Sequence, residues 1–153
     1  MRLQRQVRKI IKEANLLGRK LEDIEHHKVV TRYPLAPDKG LFADFVARNS
    51  QYYFTETLDY RVDRGIQGTK FNETAKAAFV LREAHRQFES SSRIVLYAAT
   101  AKVEIEVTPH LNLLSEFADT FINFESAQDR ARYVEALVSA LGGQLPLTVR
   151  GRN

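Results

Sequence analysis

Cysteine is absent from this chain of 153 residues, and methionine occurs once. No disulfide framework can form, no cysteine-held zinc or iron–sulfur centre can assemble, and covalent catalysis by a thiol is excluded. Glycine-rich phosphate loops of the GxxxxGK[ST] or GxGxxG kinds are missing, as is the GxSxG elbow of serine hydrolases. His85 and His110 have no HxH or HxxxH partner, and adjacent His26 and His27 point different ways, so zinc chemistry is not expected. No run of about 18 apolar residues occurs. Charges threaded through the N-terminal apolar positions argue against a signal peptide, and the expectation is a cytoplasmic protein with no membrane partner.

What is present suits one domain with its own core over residues 1–153, at 44% hydrophobic and 27% charged. The net charge of +4 is spread unevenly. Arg2, Arg5, Arg8, Lys9, Lys12, Arg19 and Lys20 crowd the first 20 residues against Glu13 alone, whereas residues 104–125 hold five acids and no lysine or arginine. The basic start is a solvated helix face, a phosphate-binding face for DNA or RNA carried by Arg2, Arg5, Arg8, Lys9 and Lys12, or a surface that meets an acidic protein.

Leu3, Val7, Ile10, Ile11, Ala14 and Leu17 fall at helical spacing and predict an amphipathic helix from residue 2 to about 20, ending near His26-His27. VVTRYPL reads as a strand until Pro34, and residues 36–40 as a turn. Residues 41–48 and 51–61 form the clearest hairpin, rich in aromatic and β-branched side chains. Residues 63–68 read as a loop, 72–89 as a helix, and the apolar run 93–99 as a central strand buried on both faces. VEIEV at 103–107 alternates like an edge strand or extended exit. Thr108-Pro109 reads as the cap and first position of a helix to about 118, and FINF at 121–124 as either a short strand or more helix. Ser126 and Asp129 resemble a capping box for a helix stopped by Gly142-Gly143, with a loosely held tail beyond.

Two acids stand out on the hairpin, Asp44 on its first run and Glu56 on its second. If the connection is the three residues Asn49-Ser50-Gln51, position 44 lies opposite 56 and the carboxylates share a face; a two-residue loop would separate them. Such a pair suits Mg²⁺, which takes hard oxygen ligands and keeps waters. Glu56 shares its face with Tyr52, Phe54, Leu58 and Tyr60. An acid in an apolar row is costly unless paired, hydrogen-bonded or metal-bound, and a salt bridge to a packing helix is the plainer alternative. Asp59 and Arg61 read as a solvated pair on the other face, and the aromatic residues as core rather than as base-stacking groups.

The order helix, three strands, helix, strand resembles the core of the restriction-endonuclease-like, or PD-(D/E)XK, superfamily over roughly residues 2–100. The resemblance implies an α/β fold with a mixed central sheet flanked by helices, here extended by two C-terminal helices over about 108–142. It also implies a Mg²⁺-dependent nuclease site, with Asp44 in FADFV as the first acid and Glu56 in TETLD as the second. Leu58 stands where that pattern has lysine. Some members carry the lysine on the following helix, which makes Lys70, or else Lys76, the catalytic candidate. Others have lost activity and keep the fold for protein or nucleic-acid contacts, and short prophage and plasmid proteins also look similar. The alternative expectation is therefore a non-enzymatic phage or mobile-element protein, an inhibitor or adaptor docked on a nucleic-acid-handling complex.

Overall fold

The computed structural model describes residues 2–61, 71–143 and 145. The predicted loop at 63–68, Lys70 and nearly all of the tail lie outside the described residues. Among the described residues four α-helices and five strands follow one another as α1 (Arg2–Glu13), β1 (Val30–Ala36), β2 (Leu41–Arg48), β3 (Tyr52–Asp59), α2 (Phe71–Gln87), β4 (Ser92–Ala98), α3 (Ala101–Leu113), β5 (Thr120–Asn123) and α4 (Ala127–Leu141). The strands lie in one sheet in chain order, antiparallel from β1 to β3 and parallel from β3 to β5. The chain is thus an α/β protein with a mixed five-stranded sheet flanked by helices. No helix among the described residues is long and apolar enough to cross a membrane.

Each face of the sheet buries helices, which gives three layers. On one face Leu3, Val7 and Ile11 of α1 and Val134 and Leu141 of α4 pack on Phe45, Ala47, Leu96 and Ala98. On the other, Leu81 of α2 and Val107 of α3 meet Leu58, Val95 and Tyr97, while Val80 and Ala84 meet Val46 and Phe54. β4 is interior and feeds both cores, as its unbroken apolar run predicts. The hairpin aromatics are core: Tyr60 is fully buried with its hydroxyl bonded to Thr74, and Tyr52, Phe54 and Phe88 stack together.

α1 stops at Glu13, short of residue 20. Asn15 turns left-handed at φ 61°, Leu16 N–H bonds the Ile11 carbonyl and Asn15 N–H that of Lys12, a Schellman closure with asparagine in the usual glycine place. His26 ends, and His27 at φ 60° caps, a short 3₁₀ helix rather than α1. β1 continues through Pro34 to Ala36, with a bulge between those residues on the sheet edge that absorbs the missing N–H.

The reading of 103–107 as extended fails, because VEIEV lies inside α3. Val103 and Val107 are four apart, and with Leu111 and Leu114 they make the helix's packed stripe, while Ile105 is 82% exposed. Pro109 is interior to that helix and not its start; the cap position is Thr100. FINF resolves to a strand, so the segment after residue 100 adds a fifth strand as well as helices. α4 opens at Ser126, whose hydroxyl accepts from Asp129 N–H, and closes at left-handed Gly142 (φ 82°). Next to it, a Cβ on Gly143 would stand 2.6 Å from the Ala14 carbonyl oxygen, so only glycine lets the end of α4 meet the end of α1.

Candidate functional site: a paired-carboxylate cleft

The hairpin closes through Asn49-Ser50-Gln51, with Gln51 N–H on the Asn49 side chain. Its pairs run from Arg48↔Tyr52 to Phe45↔Thr55, the register that sets 44 opposite 56. The regular ladder stops at Phe45 and Thr55, and the two carboxylates take over where it ends. Glu56 Oε2 accepts from the Asp44 amide at 2.7 Å, and Asp44 Oδ2 accepts from the Thr57 amide and hydroxyl, both at 2.9 Å. Backbone donors that would otherwise be orphaned at the fork are satisfied by acids instead of carbonyls. Asp44 Oδ1 accepts a 3.4 Å contact from Gln4 Nε2, and among the described residues Glu56 Oε1 accepts no hydrogen bond.

This fork is the floor of a cleft of about 710 Å³. α1 contributes Gln4, Arg5 and Arg8 to its walls, β1 contributes Arg32, β2 contributes Phe42, and α2 contributes Glu73 and Lys76. Of the predicted basic residues, Arg5 and Arg8 therefore reach the site, while Arg2, Lys9 and Lys12 are exposed on α1 outside it. Lys76, one of the two lysines considered for the displaced role, stands in the cleft. Leu58 is 2% exposed and belongs to the core beneath α2.

Burial pushes Glu56 well above the ordinary carboxylate range, and the neighbouring Asp44 charge pushes the same way; the Asp44 amide and Lys76 oppose both. Asp44 is raised by burial against the two Thr57 bonds and Lys76. Two adjacent acids out of water favour holding one proton or a cation between them. Among the described residues no lysine or arginine forms a contact ion pair with Glu56. No group of three or more metal-ligating acids or histidines occurs among the described residues. The donor set is two hard oxygens, which fits a cation that completes its shell with water and phosphate, such as Mg²⁺ or Mn²⁺, and does not fit structural zinc.

One feature of the site is not visible in the sequence. Arg32 adopts φ 50° within β1, between the pairs Thr31↔Phe45 and Tyr33↔Ala43 and so across from Asp44. Its guanidinium lies 4.4 Å over the Phe42 ring. Asp59 and Arg61 also depart from expectation, since their side chains are only 2% and 6% exposed. Asp59 Oδ2 accepts from Arg61 Nη2 at 2.8 Å and from the Leu3 amide at the start of α1, and Oδ1 accepts from Arg61 Nε and N at 3.0 Å. Burial alone would raise this acid, but the Arg61 bonds outweigh it and hold Asp59 below its ordinary value. The pair is a buried clamp between β3 and α1. His110 lies against the Tyr60 and Phe71 rings and His27 Nδ1 near the Arg48 carbonyl, so neither histidine joins the cleft. Comparison with protein-family models, with curated proteins and with solved structures returned no match for this chain.

Proposed function

We propose that the chain is a metal-dependent nucleic-acid hydrolase of restriction-endonuclease-like design, acting on a phosphodiester in the cytoplasm. The observation that carries this reading is the Asp44–Glu56 fork: half-buried Asp44 and buried Glu56, both with raised proton affinity and each with one oxygen held by the backbone, under a rim of Arg5, Arg8, Arg32 and Lys76. The element order and the antiparallel-then-parallel sheet support it further. A bound Mg²⁺ would supply an activated water and neutralise charge on the phosphate. Asp44 Oδ1 and Glu56 Oε1 would hold the ion. Lys76, whose charge already favours both carboxylates in ionised form, takes the place of the lysine missing at 58 and donates to the phosphoryl oxygens. Arg5 and Arg8 would bind the flanking phosphates.

The test is Mg²⁺- or Mn²⁺-dependent cleavage of single- and double-stranded DNA and RNA. Asp44→Ala, Glu56→Gln and Lys76→Ala are each expected to lower the rate by at least about 100-fold. Absence of cleavage by folded parent protein rejects the reading. The specific observation behind the alternative, a non-enzymatic mobile-element inhibitor or adaptor, is Leu58: a core side chain there means that the usual lysine position has been given over to packing.

A further inference from the structure

We infer that the cleft accepts an unpaired strand, one of whose bases stacks on a plate made by Arg32 and Phe42; this rests on the nucleic-acid reading above. Phe42 is half-buried in the cleft wall and Arg32 is exposed, so the guanidinium at 4.4 Å covers the ring on one side and offers its other side outward. A planar cation backed by an aromatic ring is a surface on which any base can stack, and only a base free of its own duplex stack can use it.

Two further observations place this plate in the site. Arg32 lies across the β1–β2 ladder from Asp44, so a nucleotide stacked there has its phosphate within the same cleft as the acid fork and the Arg5 and Arg8 side chains. Arg32 also holds φ 50°, a left-handed backbone that costs any residue with a Cβ and that glycine would adopt freely. Nothing in the β1–β2 ladder requires an arginine at that turn, since its guanidinium's contact is with Phe42 at the surface. The strained position carries a cleft-facing cation at the one register place opposite the candidate acid. α1 and α2 approach from opposite faces of the sheet and wall the cleft on two sides, which suits a single strand better than a duplex.

The experiment measures binding by fluorescence anisotropy, in Ca²⁺, of a single-stranded oligonucleotide in DNA and RNA form and of the matching blunt duplex, with 2-aminopurine in the single strand to report stacking. The parent is expected to favour the single strand by about tenfold or more and to quench the 2-aminopurine. Arg32→Lys keeps the charge but not the plane, and Phe42→Leu removes the backing; each is expected to lose the quenching and most of the preference. Arg32→Gly, which relaxes the backbone, does the same without unfolding the protein. Equal affinity for duplex and single strand, no binding to either, or an Arg32→Lys protein with the parent's preference and quenching overturns the inference. Cleavage followed in parallel with Mn²⁺ separates the two ideas: preference without cleavage rejects the hydrolase and keeps the plate, and cleavage without preference does the reverse.

Discussion

Glu56 and Asp59 stand three residues apart on β3, at 6% and 1% exposure, and although burial raises both acids their net shifts are opposite. Asp59 has a guanidinium in contact, an amide from the start of α1 and a backbone N–H from Arg61, and its charged form is favoured. Glu56 has one backbone amide, a second acid beside it and a lysine at a distance, and its charged form is disfavoured. The same strand therefore holds one acid whose charge a contacting guanidinium compensates and one that no described lysine or arginine contacts. That contrast separates a structural carboxylate from a candidate ligand better than burial does, because both are buried.

The comparison breaks most visibly at Asp59. Asp59→Ala would leave buried Arg61 with only its 3.7 Å pair to Glu125 and free the Leu3 amide, with an expected loss of about 3 kcal/mol, read as the midpoint of urea unfolding. The same clamp should weaken in acid. Its folded value lies below the ordinary 3.8, so its contribution is complete above that pH and disappears as pH falls through the lower folded value. At the fork the proposed ion can be added directly. A divalent cation at 100 times its Kd should stabilise the parent by about 2.7 kcal/mol, seen as a rise in Tm, and should do nothing for Asp44→Ala.

A smaller effect of opposite sign to Asp59→Ala is expected from removing the fork's charge. Without metal, Glu56→Gln should stabilise the protein by about 1–2 kcal/mol at neutral pH, since an incompletely paired charge is replaced by an amide that still accepts the Asp44 N–H. The fold binds the Glu56 proton more tightly than the unfolded chain does. Stability of the parent therefore falls as pH rises above the ordinary 4.5, and the variant's advantage grows over the same window and vanishes below it. Equal stability of parent and variant across pH 4 to 8 would remove the distinction between the two acids. Smallest is the backbone strain across from the fork: Arg32→Gly is expected to stabilise by about 0.5–1 kcal/mol, measured by thermal unfolding.

The hairpin was legible because register is a local matter. Three turn residues and alternating side chains are enough to bring Asp44 and Glu56 together. The Asp59–Arg61 clamp was not, since the decisive partner is the Leu3 amide, 56 residues away, and nothing near Asp59 announces it. α3 was misread for a different reason: V-E-I-E-V satisfies a two-residue period and, through Val103 and Val107, a helical one, and only the later Leu111 and Leu114 favour the helix. Pro109 then looked like a beginning, although a helix also tolerates proline where the turn faces solvent, as it does around Ile105. Asn15 ended α1 early by a turn that any asparagine can make and few do. Arg32's left-handed backbone has no sequence signature at all.

The meeting of Gly143 with Ala14 makes α1 a lever whose two ends belong to different parts of the protein. One end meets the close of α4; the rest of the helix, about 9 to 15 Å back along its axis, carries Arg8, Arg5 and Gln4 on the cleft. A side chain at residue 143 would force either the close of α4 or the Ala14–Leu16 stretch to give way, and that stretch ends the same helix that carries the cleft's arginines.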